Sequence, residues 1–258
     1  MPIKFALLVL GIVFYIGQGK AANLQPINPN DKFNLQFFIL PMPNPSRKAA
    51  EAKPLTQEGQ QQKSVAHPTS TAKEIQACDQ LVNSALVGIK REKPLIGKGL
   101  CGSDPVYEIS AIQTIAGKIT FTQSVPLNCQ MLEGLALWGE GIQKDAQKHL
   151  STNLAEVNVI STYACRNRYN DPNQRISQHA FANAIDISGF KMKSGESISL
   201  LKTWDEDNNQ SAFLKAVHKT ACNIFSTVLG PESNAAHKDH FHFDMGRGGI
   251  NASYKYCR

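Results

Sequence analysis

The stretch Arg175-Ile176-Ser177-Gln178-His179-Ala180-Phe181-Ala182-Asn183-Ala184-Ile185-Asp186-Ile187-Ser188-Gly189-Phe190 places a histidine and an aspartate seven positions apart among small residues. On one straight strand that odd spacing would send His179 and Asp186 to opposite faces, whereas two helical turns would align them. The run from Ala180 to Ala184 therefore has to be a helix or a bend, and its alanines allow the backbone to come close to whatever the two side chains hold. A second cluster lies downstream. In His237-Lys238-Asp239-His240-Phe241-His242-Phe243-Asp244, three of the chain's seven histidines fall within six positions.

Even spacing matters in this second segment. On a strand, His240, His242 and Asp244 point to one face. A catalytic zinc site takes three protein ligands from His, Asp or Glu and leaves a fourth position for water, and His179, Asp186 and His242 make up such a set. His240 beside it is suited to take a proton, because zinc brings the pKa of its water to about 7 and an unperturbed imidazole titrates near 6.5. An anion formed at an attacked carbonyl needs a fixed cation, for which Arg166 is the candidate and Arg168 the reserve. The competing view is that a His near an Asp is only a hydrogen-bonded pair.

Outside these segments the chain divides into three parts. Lys4, the apolar run Phe5 to Gly17 and the small residues to Ala22 have the layout of a cleaved secretory signal, assigned to residues 1–21. The apolar run is shorter than the roughly 20 residues that span a bilayer, so no stable membrane span is expected after cleavage. Residues 22–72 are rich in Pro, Gln, Asn and Lys without a periodic apolar face and read as a flexible tether; Phe33 to Leu40 is an apolar exception, a candidate docking strand. Residues 73–258 form the folded domain.

All six cysteines lie in that domain, at 78, 101, 129, 165, 222 and 257. An even count in an exported chain points to disulfides, with fifteen connectivities open, and no Cys-x-x-Cys pair suggests a thiolate metal site. The net charge is +6, from 27 basic and 21 acidic residues. For an exported protein this suits an anionic cell envelope rather than nucleic acid, or serves solubility alone. The expected localisation is periplasmic or otherwise at the envelope.

Within the domain, apolar spacing predicts a helix over Glu74 to Ile89, short strands over Ile109 to Phe121, a helix starting at Pro126, a strand over Leu154 to Ala164 and another over Ser197 to Trp204. A helix follows over Ala212 to Leu229, then a last strand over His240 to Met245. Cys101 to Val106 reads as a turn and Trp138 as core. Strands and helices do not alternate cleanly enough for a parallel sheet, so the expected fold is α+β, an antiparallel sheet flanked by helices.

Ser177-x-His179-x-x-Ala182-x-Ala184-x-Asp186 followed by His240-x-His242 resembles the signature of the zinc D-Ala-D-Ala carboxypeptidase and murein endopeptidase group. It is nearest to the penicillin-insensitive murein endopeptidase branch, since His237 stands three before His240. From Cys78 to Cys257 the chain also resembles the bacterial extensin-like C-terminal domain. The matching pieces include Cys101-Gly102, Leu127-Asn128-Cys129, Ser161 to Arg166, Ala221-Cys222 and Leu229-Gly230-Pro231.

The resemblance implies His179, Asp186 and His242 as zinc ligands, His240 as general base, His237 as a substrate-facing or outer histidine, and Arg166 as the arginine that steadies substrate. Ser177 is then structural, because no base is placed to make it a nucleophile. One departure stands out: Ala182 occupies the position where the peptidases carry glycine, a costly exchange if the backbone there has positive φ. The function expected is zinc-dependent hydrolysis of peptide bonds in peptidoglycan; the alternative is a non-catalytic wall-binding or structural module that keeps the metal. A metal-dependent phosphodiesterase is disfavoured because no two-metal carboxylate cluster is present.

Overall fold

The computed structural model describes residues 71–246, 249 and 252–258. The expected signal, the Phe33 to Leu40 segment and all but the last two residues of the expected tether lie outside them. Among the described residues no helix is long and apolar enough to cross a membrane.

The first helix, α1 (Ala72–Ser84), starts at a capping box: the Thr71 hydroxyl accepts from the Glu74 backbone N–H, and the Glu74 carboxylate accepts from that of Thr71. It ends five residues before the helix predicted to reach Ile89. Leu86–Lys90 is instead strand β1, paired with β4 (Val106–Thr114). Val87 and Ile89 suit that pleated edge better than a further helical turn. β2 (Leu95–Ile96) and β3 (Gly102–Ser103) form a separate two-stranded ribbon, so part of the expected turn after Cys101 is extended.

β4 and β5 (Gly117–Asn128) make a long antiparallel hairpin. The helix expected from Pro126 begins three residues later, as α2 (Cys129–Leu150). Pro126 lies in β5 opposite Glu108, beyond Thr120 and Phe121, the two residues that pair with β6 (Leu154–Ser161). Among the described residues no strand lies on that side, so its missing N–H leaves no gap in the ladder. Asn128 is the true cap, its Oδ1 accepting from Met131 N at 3.1 Å.

β7 (Ala184–Met192) and β8 (Ser197–Ser199) follow; the strand predicted to Trp204 gives way after Ser199 to the short helix α3 (Leu200–Thr203). α4 (Asn209–Cys222), capped by Asn208, stops short of the predicted Leu229, because Thr227–Leu229 forms β9 between β10 (Phe241–Asp244) and β11 (Tyr256–Cys257). Among the described residues the main sheet has nine strands in the order β1-β4-β5-β6-β7-β10-β9-β11, with β8 added beside β7. Its pairings are antiparallel except β5 with β6 and β9 with β11. The fold is therefore α+β with a mostly antiparallel sheet flanked by helices, as the sequence predicts.

The core lies between the sheet and α2 and α4. Trp138 of α2 is fully buried, edge-on to Phe243 at 5.5 Å between ring centres and tilted against Phe190 at 6.3 Å. Truncating such a residue costs about 3–5 kcal/mol. Gly139 explains how close α2 sits, since a Cβ there would meet Ile112 Cγ2 at 2.5 Å. Three disulfides, Cys78–Cys129, Cys101–Cys165 and Cys222–Cys257, join residues whose Cα atoms are 5.7, 5.5 and 5.7 Å apart. This is one of the fifteen pairings, and each bond adds about 2–4 kcal/mol by restricting the unfolded chain.

Candidate metal centre

The sheet turns its strands' alternation into a division between core and site. On β10, Phe241 and Phe243 are fully buried in the core, and on β7 so are Ile185 and Ile187. Asp186, His242 and Asp244 point to the other face. Asp186 and His242 are direct register partners, which brings their side chains together.

His179 reaches the same place from a turn. The odd spacing excludes a straight strand, and the chain folds as a 3₁₀ turn over Gln178–Phe181, followed by Ala182 in the left-handed region at φ 51° and then Asn183. The turn is fixed at several points. Asn128 N–H donates to the Ala182 carbonyl, Asn128 Nδ2 to that of Phe181, and Asn183 Nδ2 to Gln178 Oε1 and to the Gly246 carbonyl. Ala182 is fully buried. Ala182 thus has positive φ, and alanine bears that strain.

One nitrogen of each imidazole is already committed. The Thr162 main-chain carbonyl, which only accepts, takes a hydrogen bond from His179 Nδ1, leaving Nε2 as that ring's free nitrogen. Asp244 Oδ2 lies 3.0 Å from His242 Nε2, leaving Nδ1. The two free nitrogens are 3.1 Å apart; His179 Nε2 is 3.2 Å from Asp186 Oδ2, and His242 Nδ1 is 2.9 Å from Asp186 Oδ1. These tautomers follow from the partners the rings meet. Ligand atoms from all three residues lie within 4.8 Å of one another. Electron-rich atoms converging in a nearly dry pocket require protons or a cation between them.

Without a metal, a proton fills that role. Burial disfavours charge on His242, but hydrogen bonds to Asp186 and Asp244 outweigh it and raise its pKa to about 9. Burial also opposes the Asp186 carboxylate, yet the imidazoles of His179 and His242 beside it hold its pKa far below the usual carboxylate range. The donor set, two imidazole nitrogens and one carboxylate drawn from two strands and a turn, could hold a divalent metal ion, whose entry would displace the shared proton.

Two more histidines flank the cluster. His240 Nδ1 lies 2.8 Å from Asp239 Oδ1, so its free nitrogen is Nε2, which is 4.0 Å from Asp186 Oδ1. His237 meets Asn234 Oδ1 through Nδ1 at 2.9 Å, with its ring 5.1 Å from that of His240 and 5.9 Å from that of His242. Burial, followed by the nearby imidazoles of His242 and His240, lowers the His237 pKa to about 4 and keeps it neutral.

Arg166 stands on a ribbon tied to the His179 turn. Ala164 N–H donates to the His179 carbonyl, and Ser177 N–H to that of Arg166. The half-buried Arg166 side chain makes no hydrogen bond or ion pair to the histidines or Asp186 and instead lines a neighbouring cleft. Arg168, the reserve, is exposed at the start of a short turn. Ser177 accepts from the His179 N–H at 3.4 Å, a structural role. Asp239, Asn234 and Thr162 were missed from the sequence; Thr162 acts through its main chain, which leaves no residue-type signal. A second grouping, His218 with Cys222 and Cys257, has its two sulfurs joined in a disulfide and offers no thiolate.

Fold and site together define a disulfide-linked α+β domain with a His/Asp centre on one face of its sheet. The family model for the extensin-like protein C-terminus matches residues 76–258, and the chain belongs to that family. Comparison with curated proteins and with solved structures gives no match.

Proposed function

We propose that the protein is a zinc-dependent hydrolase of peptide bonds in peptidoglycan, working in the cell envelope. The observation that carries this reading is the convergence of His179 Nε2, His242 Nδ1 and the Asp186 carboxylate, each imidazole already oriented by a hydrogen bond through its other nitrogen. His179, Asp186 and His242 would hold the zinc, which supplies Lewis acidity that polarises a carbonyl and acidifies water. The likeness of Ser177 to Asp186 and of His240-Phe241-His242 to the zinc D-Ala-D-Ala carboxypeptidase and murein endopeptidase signature supports the substrate class. The chain's +6 charge suits an anionic wall.

The chain's own groups then divide the work. His240, its Nδ1 engaged by Asp239, presents Nε2 at the edge of the cluster, where it accepts a proton from the attacking water and returns it to the leaving amine. Asp239 keeps that tautomer in place. His237, held neutral, donates or accepts a hydrogen bond beside His240 without adding charge. Arg166 contributes a cation to the substrate side of the ribbon.

The test is incubation of the purified protein with isolated sacculi, with and without chelator, and mass spectrometry of the released peptides. Chelator-sensitive peptide release is the expected result, and a His240→Ala variant should bind zinc normally while losing release. Zinc binding without any release from the native chain would favour a wall-binding module instead.

A further inference from the structure

The ribbon that leads to His179 also forms one wall of a cleft of about 440 Å³. That volume lies in the range of roughly 300–1,000 Å³ typical of small-ligand sites. The other wall is the turn from Gly97 to Cys101, closed by Gly97 N–H donating to the Cys101 carbonyl and Cys101 N–H to that of Lys98. The Cys101–Cys165 disulfide clamps turn to ribbon. Packing there is tight, since a Cβ at Gly97 would meet Cys101 Cβ and the Tyr163 hydroxyl, each at 2.7 Å.

The chemistry of the lining is one-sided. Lys98 and Arg166 supply two positive charges, Leu100 and Ile176 supply apolar surface, and among the described residues no acidic one lines the cleft. Among the described residues neither cation takes part in an ion pair. None of His179, Asp186, His240 and His242 lines it, so it is a compartment beside the candidate metal centre, coupled to it through the hydrogen bonds of 164 to 179 and 166 to 177.

We propose that this cleft is a subsite for a carboxylate-bearing stretch of the peptide substrate, and that Lys98 is a specificity-determining residue within it. The proposal rests on the peptidase reading for its choice of ligand. Two cations attract a carboxylate, the aliphatic side chains cover the carbons that bear it, and the disulfide keeps the Lys98 turn at a fixed distance from the ribbon.

The experiment titrates the full chain with the wall peptide L-Ala-γ-D-Glu-L-Lys-D-Ala and with the same peptide whose glutamyl carboxylate is amidated, with and without chelator. The native chain should bind the acid form about fivefold more tightly than the amide. Lys98→Ala should reduce that preference by weakening the acid form alone, the remainder being due to Arg166, and Lys98→Arg should retain it in full. Because Lys98 is exposed, neither variant threatens folding. Equal affinity of the native chain for both peptides, or an unchanged preference in Lys98→Ala, overturns the subsite even if sacculi are cleaved. A Lys98-dependent preference without any peptide release from sacculi upholds the subsite and removes the peptidase.

Discussion

Asp186 and His242 stand directly opposite each other on adjacent antiparallel strands, with Oδ1 and Nδ1 2.9 Å apart. Because β7 is flanked by β6 on its other side, the Asp186 backbone is fixed on an interior strand, and the two imidazoles hold its carboxylate. The pair is therefore set before any ligand arrives, as a metal site requires.

Replacing Asp186 by alanine should weaken zinc binding by at least about a hundredfold, and should destabilise the metal-free domain by about 1.5–3 kcal/mol because His242 loses one of its two buried carboxylate partners, Asp244 remaining. Calorimetric zinc titration and denaturant unfolding read the two effects. Unchanged zinc affinity would place the metal elsewhere.

Asp244 acts through His242 and touches no proposed substrate. Its Oδ2 holds Nε2 and so keeps Nδ1 turned to the cluster, while Oδ1 accepts from the Gly246 N–H. Asp244→Ala should lower zinc affinity about 10- to 100-fold. Asp244→Asn, which can still accept from Nε2, should recover part of the loss in the same titration.

Ala182 in the left-handed region bears strain of about 1–2 kcal/mol. Ala182→Gly removes it but frees the unfolded chain by about 0.4–1 kcal/mol. The net expectation is a gain of up to about 1.6 kcal/mol in denaturant unfolding, with the His179 turn otherwise unchanged.

The pH dependence of the metal-free domain follows from His242. Its pKa is raised from 6.5 unfolded to about 9 folded, so the protonated imidazolium's contribution to stability is complete below pH 6.5 and is lost as pH rises through about 9. Asp186, with its pKa lowered from 3.8, contributes above that value and loses its effect only at strongly acidic pH. His237, lowered from 6.5 to about 4, contributes above pH 6.5 and loses its effect as pH falls towards 4. Chelated protein should therefore show falling thermal stability from pH 6.5 to 9, and zinc should flatten that slope because it replaces the proton.

Much of this was legible in the sequence because the relevant signals are periodic or compositional. The alternation Phe241-His242-Phe243-Asp244 implied a strand with one polar face, and the odd spacing from His179 to Asp186 demanded a bend. What could not be read was non-local. The register that sets Asp186 against His242, the Thr162 carbonyl behind His179 and the pairing of the cysteines all depend on which strands become neighbours. The boundary errors share that cause: Leu86–Lys90 and Thr227–Leu229 have helical apolar spacing, yet strand partners claim them. At Pro126, a strand edge with no neighbour accepted a residue that otherwise marks a helix start.

X-ray absorption at the zinc edge of the purified, zinc-loaded protein reaches the centre of the account. It should show zinc in a shell of nitrogen and oxygen at about 2.0–2.2 Å with two imidazoles and no sulfur, a spectrum lost together with the bound metal in Asp186→Ala and in His242→Ala. Zinc that stays bound in those variants, or a shell containing sulfur at about 2.3 Å, would contradict it.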